Sequence, residues 1–273
     1  MATRSISDPR DRFTTIMVAP LMTCSARLPV YALLIAAFIP AQTVWGMFNL
    51  QGLVLFGLYM AGIVSALCVS MVMKFLQKDK SQHALLLELP SYRIPDIKSV
   101  AIGLLDRGKI FMRRVGGIIF ALSILLWFLC TFPQAPEGAT LPEIDYSFAG
   151  MLGHLLQPIF APLGFNWQIC IALIPAMAAR EVVVSALGTV YAIAGNDEII
   201  AEQLGSLVAT QWSLATALSL LVWFVFAPQC LATLATVKRE TGSWRTVGIM
   251  SFYLFALAYL ASFITYRVVV ALS

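Results

Sequence analysis

Charged residues are scarce in this sequence. They make up 12% of its 273 residues, whereas hydrophobic residues make up 60%. Soluble domains are about 25% charged and about 45–50% apolar, so this composition excludes an ordinary soluble domain. The few charges cluster between long apolar runs, as expected for a chain that crosses a membrane several times. The net charge of +4 then reports orientation in the membrane and not nucleic-acid binding.

Cysteine pairs are also missing. The five cysteines are odd in number and none forms a Cys-x-x-Cys pair, so no disulfide framework is indicated. Cys68, Cys130 and Cys170 lie inside apolar runs, where cysteine behaves as a small hydrophobic residue. Cys24 and Cys230 differ, because each stands beside polar residues and a proline where a helix should break. We therefore predict that these two sulfur atoms face a cavity.

The most informative stretch is the apolar run 17–37, which contains two prolines and an arginine. Pro20 and Pro29 each remove a backbone donor and crowd the preceding turn, so a continuous helix is not expected here. Cys24 and Arg27 would then lie on irregular backbone at membrane depth. Lipid cannot satisfy such backbone, so it must be buried in protein or line a water-filled path. We predict a transport site at this break.

A second apolar run of similar design covers residues 169–194. Pro175 is predicted to interrupt it, and the adjacent ions Arg180 and Glu181 stand at its centre. A charge at the bilayer centre costs about 2.5–3.5 kcal/mol, so such residues tend to be paired and functional. The alternative is that Arg180 and Glu181 form a pair that only locks helices together. The segment itself is either a re-entrant hairpin or a complete span.

Uninterrupted apolar runs predict the remaining spans. Residues 53–73, 115–132 and 246–266 are each long enough, and 213–235 is interrupted at Pro228. The fold class is therefore an all-α polytopic membrane protein with about five to six transmembrane helices, including broken or re-entrant segments. Transporters built from repeats carry their sites at such breaks, so the two broken runs also suggest repeats.

Charge counting gives the orientation of the loops. Residues 74–114 hold nine Lys and Arg, and the positive-inside rule places them in the cytoplasm. Residues 133–166 contain no Lys or Arg and are predicted to form an outer loop, as are the acidic residues after 196. His154 in the first of these loops could contact an entering metal, although an isolated surface histidine usually does not. Residues 96–114 are either an interfacial amphipathic helix or an ordinary solvated helix.

The polar residues at the breaks suggest a metal path. Thiolates suit soft or borderline cations and carboxylates suit harder ones, so Cys24, Cys230 and Glu181 together suit a borderline divalent ion such as Fe2+. Passage requires weak and exchangeable ligands, which agrees with so sparse a set. Arg27, Arg180, Pro20, Pro29 and Pro228 are expected to support the gate and pore.

Four motifs in order resemble the ferrous iron transport protein B family and cover nearly the whole chain. The run from Pro20 through Cys24 and Arg27 to Tyr31 resembles its gate motif, and Ala179–Tyr191 is similar to its second gate motif. Residues 228–240, with Cys230, resemble a late cysteine motif, and residues 88–95 resemble the cytoplasmic link between the gates. The resemblance implies gate-type, nucleoside-transporter-like repeats and import of Fe2+ across the bacterial inner membrane.

On this resemblance the chain divides into three parts. Residues 1–80 would be the C-terminal part of a first gate repeat, 81–114 a cytoplasmic amphipathic link, and 115–273 a second gate repeat. Fe2+ is expected as the transported substrate, and no tightly bound cofactor is expected. The implied partners are membrane lipid, Fe2+, and either a separate portion with the GTPase and first gate motif or other copies of this chain; no nucleic acid is expected.

Departures from the family pattern limit the expected activity. Family members carry a GTPase domain, but no Gly-x-x-x-x-Gly-Lys-[Ser/Thr] pattern occurs here, and Gly108-Lys109 lacks the upstream glycine. We therefore expect the C-terminal half of a transporter, beginning within a repeat and without GTPase activity. Arg180 stands where the family commonly has lysine, and arginine does not readily lose its proton. Two rival hypotheses are a gate-domain permease for an organic solute and a non-transporting membrane subunit.

Overall fold

The computed structural model describes residues 3, 6, 8–44, 48–77, 96–133, 146–178, 180, 182–191, 197–228 and 231–272. These parts are helical apart from two short antiparallel strands, β1 (Thr43–Val44) and β2 (Phe48–Asn49). The helices are α1 (Pro9–Val18), α2 (Leu28–Phe38), α3 (Leu50–Gln77), α4 (Ile97–Thr131), α5 (Phe148–Phe160), α6 (Trp167–Ala178), α7 (Val182–Val190), α8 (Asp197–Gln211), α9 (Leu214–Phe226), α10 (Leu231–Thr241) and α11 (Trp244–Leu272).

Length and apolar composition identify the candidate membrane spans. Within the described residues, Pro9–Phe38, Leu50–Phe75 and Trp244–Leu272 each qualify. Two further pairs qualify jointly but are sharply bent: Phe148–Leu163 with Trp167–Met177 at 99°, and Leu204–Gln211 with Leu214–Phe226 at 118°. The described residues thus contain three helices that are long and apolar enough to cross a membrane, or up to five such segments if each bent pair is one span. This confirms an all-α polytopic membrane protein with broken segments.

The break predicted in the first apolar run is present. α1 ends at Val18, a 3-10 turn holds Pro20, and residues 22–24 are extended before a second 3-10 turn, Ser25–Arg27. Pro29 lies in the first turn of α2, where its missing N–H leaves no hydrogen bond unmade. The two prolines therefore place the break between them.

α4 corrects the prediction for residues 96–132. An amphipathic helix and a separate span were expected there, but the two stretches form one helix of 35 residues. No proline lies within it, and the adjacent Gly116 and Gly117 do not interrupt it. The boundary predicted at residue 114 therefore falls inside a helix. Residues 97–114 are helical, as both alternatives require, and the choice between an interfacial and a solvated helix stays a prediction.

α4 begins at a well-formed N-cap. The carboxylate of Asp96 accepts hydrogen bonds from the backbone N–H groups of Lys98 (3.3 Å) and Ser99 (3.2 Å) and from the hydroxyl of Ser99 (2.6 Å). These bonds, that from the Ser99 hydroxyl first, hold the pKa of Asp96 below its usual range. The cap fixes the start of the helix at Ile97.

Two stretches predicted as outer loops are helical. α5 occupies part of 133–166, capped by Ser147, whose hydroxyl accepts a hydrogen bond from the N–H of Gly150 at 3.1 Å. α8 contains the acidic residues expected in the following loop. Both predictions relied on the sign of the charges, which reports the side of the membrane and not the backbone conformation.

α5 and α6 are joined by a tight turn at Gly164, whose φ of +79° lies in the left-handed region. The ring of Tyr266 on α11 fills the space where a Cβ would stand. Only glycine fits both the backbone conformation and this contact. The turn therefore fixes the sharp bend between α5 and α6 against the last helix.

α9 and α11 form the most extensive helix pair of the described bundle. Ser219 on α9 and Ser262 on α11 are both fully buried between them. Each hydroxyl donates a hydrogen bond to the carbonyl of the other serine, at 3.2 and 3.0 Å. Small residues with reciprocal hydrogen bonds let the two backbones approach closely.

The N-terminal helix is held by the C-terminal part of the chain. A guanidinium nitrogen of Arg12 lies 2.9 Å from the carboxylate of Glu240 at the end of α10. The hydroxyl of Tyr253 on α11 donates to the carbonyl of Met17. Apolar side chains of α1 and the following turn also pack against α11, Leu21 and Leu254 among them. The broken first segment is thereby held by α10 and α11.

Candidate functional site

The first break carries a fully buried cation. Arg27 ends the second 3-10 turn with an exposed fraction of 0%. One terminal nitrogen lies 3.4 Å from the carbonyl oxygen of Pro20, a long hydrogen bond across the break. Among the residues that the structure describes, its Nε and its other terminal nitrogen have no hydrogen-bond partner. The break is thus bridged by a guanidinium that is only partly satisfied.

The second break lies between Ala178 at the end of α6 and Val182 at the start of α7. It carries a buried cation, Arg180, whose guanidinium donates to three backbone carbonyls. Arg180 donates to the carbonyl oxygens of Phe224 (2.8 Å), Ala227 (2.6 Å) and Pro228 (3.0 Å). These carbonyls belong to the end of α9 and the residues after it, where no intrahelical donor is available. A cation at a helix C-terminus also complements the helix dipole. Arg180, which lies at the second break, therefore satisfies the free carbonyls of the third break after α9.

Pro175 does not interrupt the second segment as predicted. α6 continues through it to Ala178, and the helix stops one turn later, around Arg180. A proline inside a membrane helix is tolerated where neighbouring helices cover the freed carbonyl. α6 packs closely against both α5 and α7, and this packing accounts for its continuity.

The third break follows α9. Residues Ala227 and Pro228 leave the helical conformation, and α10 begins at Leu231. Cys230 and Glu181 lie outside the described residues, so the structure tests neither of them as a metal ligand. The Arg180–Glu181 pair predicted from the sequence stays a prediction for the same reason. What the structure adds is that Arg180 binds backbone carbonyls.

Tyr31 connects the first two breaks. It lies in the first turns of α2 and is fully buried. Its hydroxyl lies beside the Arg27 guanidinium without a hydrogen bond of normal geometry, and the charges of Arg27 and Arg180 both act on it. The three breaks therefore meet in one interior region, which contains two cations and a phenol.

A cavity of about 230 Å³ opens beside Arg180. Its lining is mostly apolar and includes Trp223 and Phe224 of α9, together with Ala227 and Pro228 of the third break. Cys170 of α6 also lines it, whereas the sequence assigned this residue only to the hydrophobic core. The residues of the third break, Ala227 and Pro228, therefore border an open space between the helices.

Of the three predicted metal ligands, the structure describes Cys24. It is half-buried on extended backbone between the two 3-10 turns, next to Met22, whose exposed fraction is 59%. Within the described residues, no group of three or more His, Cys, Asp and Glu side chains could hold a metal ion. No disulfide joins the four described cysteines, Cys24, Cys68, Cys130 and Cys170. A tight metal cage was not predicted.

His154 lies on α5 and not in a loop. It is exposed, and its ring lies against that of Trp167 in a tilted arrangement, with a centroid distance of 5.1 Å and an interplanar angle of 30°. This contact joins α5 to α6 beside the tight turn. Its suggested contact with an entering metal stays a prediction.

Sequence reasoning missed two features of this region. It named Arg180 but not its carbonyl acceptors, which lie 44 to 48 residues further along the chain. Tyr31 lies at the end of the first gate motif, and the sequence alone predicts no role for it. A tyrosine one turn after a buried arginine in a broken apolar run was the available signal.

Comparison with known proteins gives two family regions and several relatives. Residues 112–244 match the Gate family, described as nucleoside recognition, and residues 55–107 match the ferrous iron transport protein B C terminus. The chain is 39% identical to the Fe(2+) transporter FeoB of Leptospira interrogans, over 98% of the chain and 40% of the relative. The corresponding protein of Leptospira biflexa is 37% identical over 98% of the chain and 40% of the relative. That of Staphylococcus aureus is 33% identical over 98% and 38%.

The chain therefore spans about two-fifths of the length of these curated relatives. No solved structure matches the chain.

Proposed function

Because this chain belongs to the ferrous iron transport protein B family over the two-fifths of those proteins that it spans, we propose that it is the membrane permease region of a bacterial Fe2+ uptake transporter. It is a multi-pass membrane protein, consistent with the bacterial inner membrane. We assign no GTP hydrolysis to this stretch, since it contains no phosphate-binding glycine-rich motif.

The observation that carries the proposal is the meeting of three helix breaks in one buried region. Arg27 lies at the first break, and Arg180 joins the second to the third through backbone carbonyls. Interrupted helices at membrane depth are where secondary transporters bind their substrates. Irregular backbone there is stable only when it is buried in protein or lines a cavity.

We propose that Fe2+ moves past Cys24, Cys230 and Glu181. Cys24 stands on extended backbone at the first break. In the sequence, Cys230 follows Pro228 by two residues and Glu181 follows Arg180 directly. Thiolate and carboxylate ligands together suit a borderline divalent ion. Few ligands hold it weakly enough to leave again.

The gate and pore would be supported by residues that shape the breaks. Pro20 and Pro29 flank the first break, and Pro228 supplies a carbonyl to Arg180 at the third. Arg27 would stabilise the first break through the carbonyl of Pro20, and Arg180 would stabilise the third through the carbonyls at the end of α9. The chain would act together with the remaining part of such a transporter, or with other copies of itself.

Substitution of Cys24 or Cys230 by serine is expected to lower Fe2+ uptake several-fold while leaving membrane insertion intact. A hydroxyl is a poorer ligand than a thiolate for a borderline cation. The measurement is quenching of an iron-sensitive fluorophore inside proteoliposomes that contain the purified chain. Cys68→Ser is the matched control, because Cys68 is exposed within the continuous helix α3 and not at a helix break. Absence of flux in the wild-type chain, or equal flux in all four proteins, contradicts the proposal.

Substitution of Glu181 by glutamine is expected to impair uptake in the same assay. The carboxylate offsets the repulsion between the two buried guanidinium groups and a passing dication, whereas the amide does not. Thermal unfolding of the same samples serves as the second readout. Unchanged uptake with a lowered Tm would assign Glu181 to structural pairing instead of the ion path.

An organic solute is the alternative substrate, since residues 112–244 match a family described as nucleoside recognition. The described cavity argues against it, because its lining is mostly apolar and its arginine already donates to three carbonyls. A nucleoside requires several free hydrogen-bonding groups. Uptake of labelled uridine, but not of Fe2+, by the same proteoliposomes would favour this alternative.

A further inference from the structure

The extended segment of the first break presents its side chains to two sides. The backbone is extended at Met22, with φ −66° and ψ 135°, and at Cys24, with φ −119° and ψ 159°. Residues two apart on extended backbone point to the same side, with their Cα atoms about 7 Å apart. Met22 and Cys24 therefore share one side of the segment, and Thr23 between them takes the other.

A contact with α3 identifies the side that Thr23 takes. A Cβ added at Gly62 would lie 3.0 Å from Cγ2 of Thr23 and 3.4 Å from the carbonyl oxygen of Leu21. The missing side chain of Gly62 thus lets the segment lie directly against α3. Since Thr23 faces α3, Met22 and Cys24 face away from it. Their exposure agrees with this arrangement, because 59% of Met22 is exposed and Cys24 is half-buried.

Both side chains that face away from α3 carry sulfur. A cysteine thiolate and a methionine thioether are soft ligands, whereas hard cations such as Mg2+ prefer oxygen. The unbranched, flexible side chain of methionine is long enough to reach a cation held by a cysteine two residues away. The thioether is neutral, so it adds a ligand without holding a dication as tightly as a second thiolate would. Such weak ligation suits an ion that must leave again.

We infer that Met22 is a second sulfur ligand beside Cys24, and that Gly62 is the positioning residue that turns both sulfur atoms away from α3. Binding deprotonates the Cys24 thiol and releases its proton to water. The first break thereby selects soft or borderline divalent cations over hard ones. Metal binding at this sulfur pair stands by itself, and its part in iron uptake rests on the proposed function.

Protection of Cys24 by a metal tests binding without transport. The full chain in detergent is treated with a water-soluble maleimide at increasing concentrations of Cd2+, a soft divalent ion, and mass spectrometry follows alkylation of the peptide that contains Cys24. Cd2+ is expected to slow this alkylation in the wild type at concentrations where Mg2+ has no effect. Met22→Leu is expected to need several-fold more Cd2+ for half protection, because leucine keeps the apolar volume but lacks the sulfur.

Met112→Leu is the matched control for the sulfur pair. Met112 is similarly exposed, at 68%, but lies on α4 and not at a break. Its substitution should leave the protection of Cys24 as in the wild type. Half protection of Met22→Leu at the wild-type Cd2+ concentration would overturn the inference. So would a wild-type chain that Cd2+ fails to protect, or that Mg2+ protects equally well.

Two glycines of α3 test the positioning role. Gly62→Ala is expected to push Leu21 and Thr23 away from α3 and to weaken the protection of Cys24 several-fold. Gly57→Ala is its control on the same helix, because the added methyl group would meet no atom within 4 Å. Thermal unfolding of both variants gives the second readout. A lower Tm for Gly62→Ala with an unchanged Cd2+ concentration at half protection would overturn the positioning role, since packing alone would then explain the glycine.

Iron uptake by the same variants separates this inference from the proposed function. Met22→Leu is expected to lower Fe2+ flux into proteoliposomes together with Cd2+ affinity. Weaker Cd2+ protection with unchanged Fe2+ flux would leave the sulfur pair as a metal site but overturn its place on the iron path. Reduced flux in Cys24→Ser, with both flux and protection intact in Met22→Leu, would overturn the role of Met22 and leave the proposed function standing.

Discussion

Substitution of Arg180 by methionine is expected to lower the free energy of unfolding of the detergent-solubilised chain by about 3–5 kcal/mol. Methionine retains an unbranched apolar stem but removes the donors that hold the carbonyls of Phe224, Ala227 and Pro228. Those carbonyls lie in the interior, where water does not replace the lost bonds. Tryptophan fluorescence during chemical unfolding measures the change, since Trp223 lies on the same helix end.

Two variants separate geometry from charge in this experiment. Arg180→Lys keeps a cation with three donors on a flexible stem, so it is expected to recover part of the loss. Arg107→Met removes an exposed cation from α4 and should change stability by less than about 0.5 kcal/mol. A loss below about 1 kcal/mol for Arg180→Met would show that the end of α9 does not depend on this guanidinium.

Substitution of Gly164 by alanine is expected to destabilise the chain by about 2–5 kcal/mol. The left-handed conformation costs an L-residue about 1–2 kcal/mol, and overpacking costs about 1–3 kcal/mol. The added methyl group would overlap the ring of Tyr266, so the α5–α6 turn and α11 must separate. Thermal unfolding in detergent gives the size of the effect.

Gly242→Ala is the matched control for this prediction. Gly242 has a similar φ of +70°, but a Cβ there would meet no atom within 4 Å. Its substitution therefore reports the backbone cost alone, and the difference between the two variants isolates the contact with Tyr266. Equal losses at both positions would show that α11 does not hold the turn.

The sequence predicts a helix break correctly where a proline alters the hydrogen bonding of its own helical turn. Pro20 and Pro29 bracket the first break, and Pro228 marks the third, because each changes the hydrogen bonding of its own turn. Pro175 was predicted wrongly on the same rule, since its neighbours α5 and α7 keep α6 helical. Local rules give the places where a helix can break, and packing decides which of them do.

Features that depend on distant residues could not be predicted. The acceptors of Arg180 lie on another helix, and no spacing in the sequence relates them to it. The continuity of α4 was missed because a change from polar to apolar composition was taken for a boundary, although nothing in the backbone requires one there. α5 and α8 were missed because charge reports membrane sidedness only.

The paired serines of α9 and α11 determine how the last break can move. Sliding or rotating either helix against the other would strip Ser219 and Ser262 of both hydrogen bonds in an environment that offers no replacement. The two helices are therefore expected to move together as one rigid pair. Any displacement of the helix end at Ala227 and Pro228 would then carry α11 along with α9.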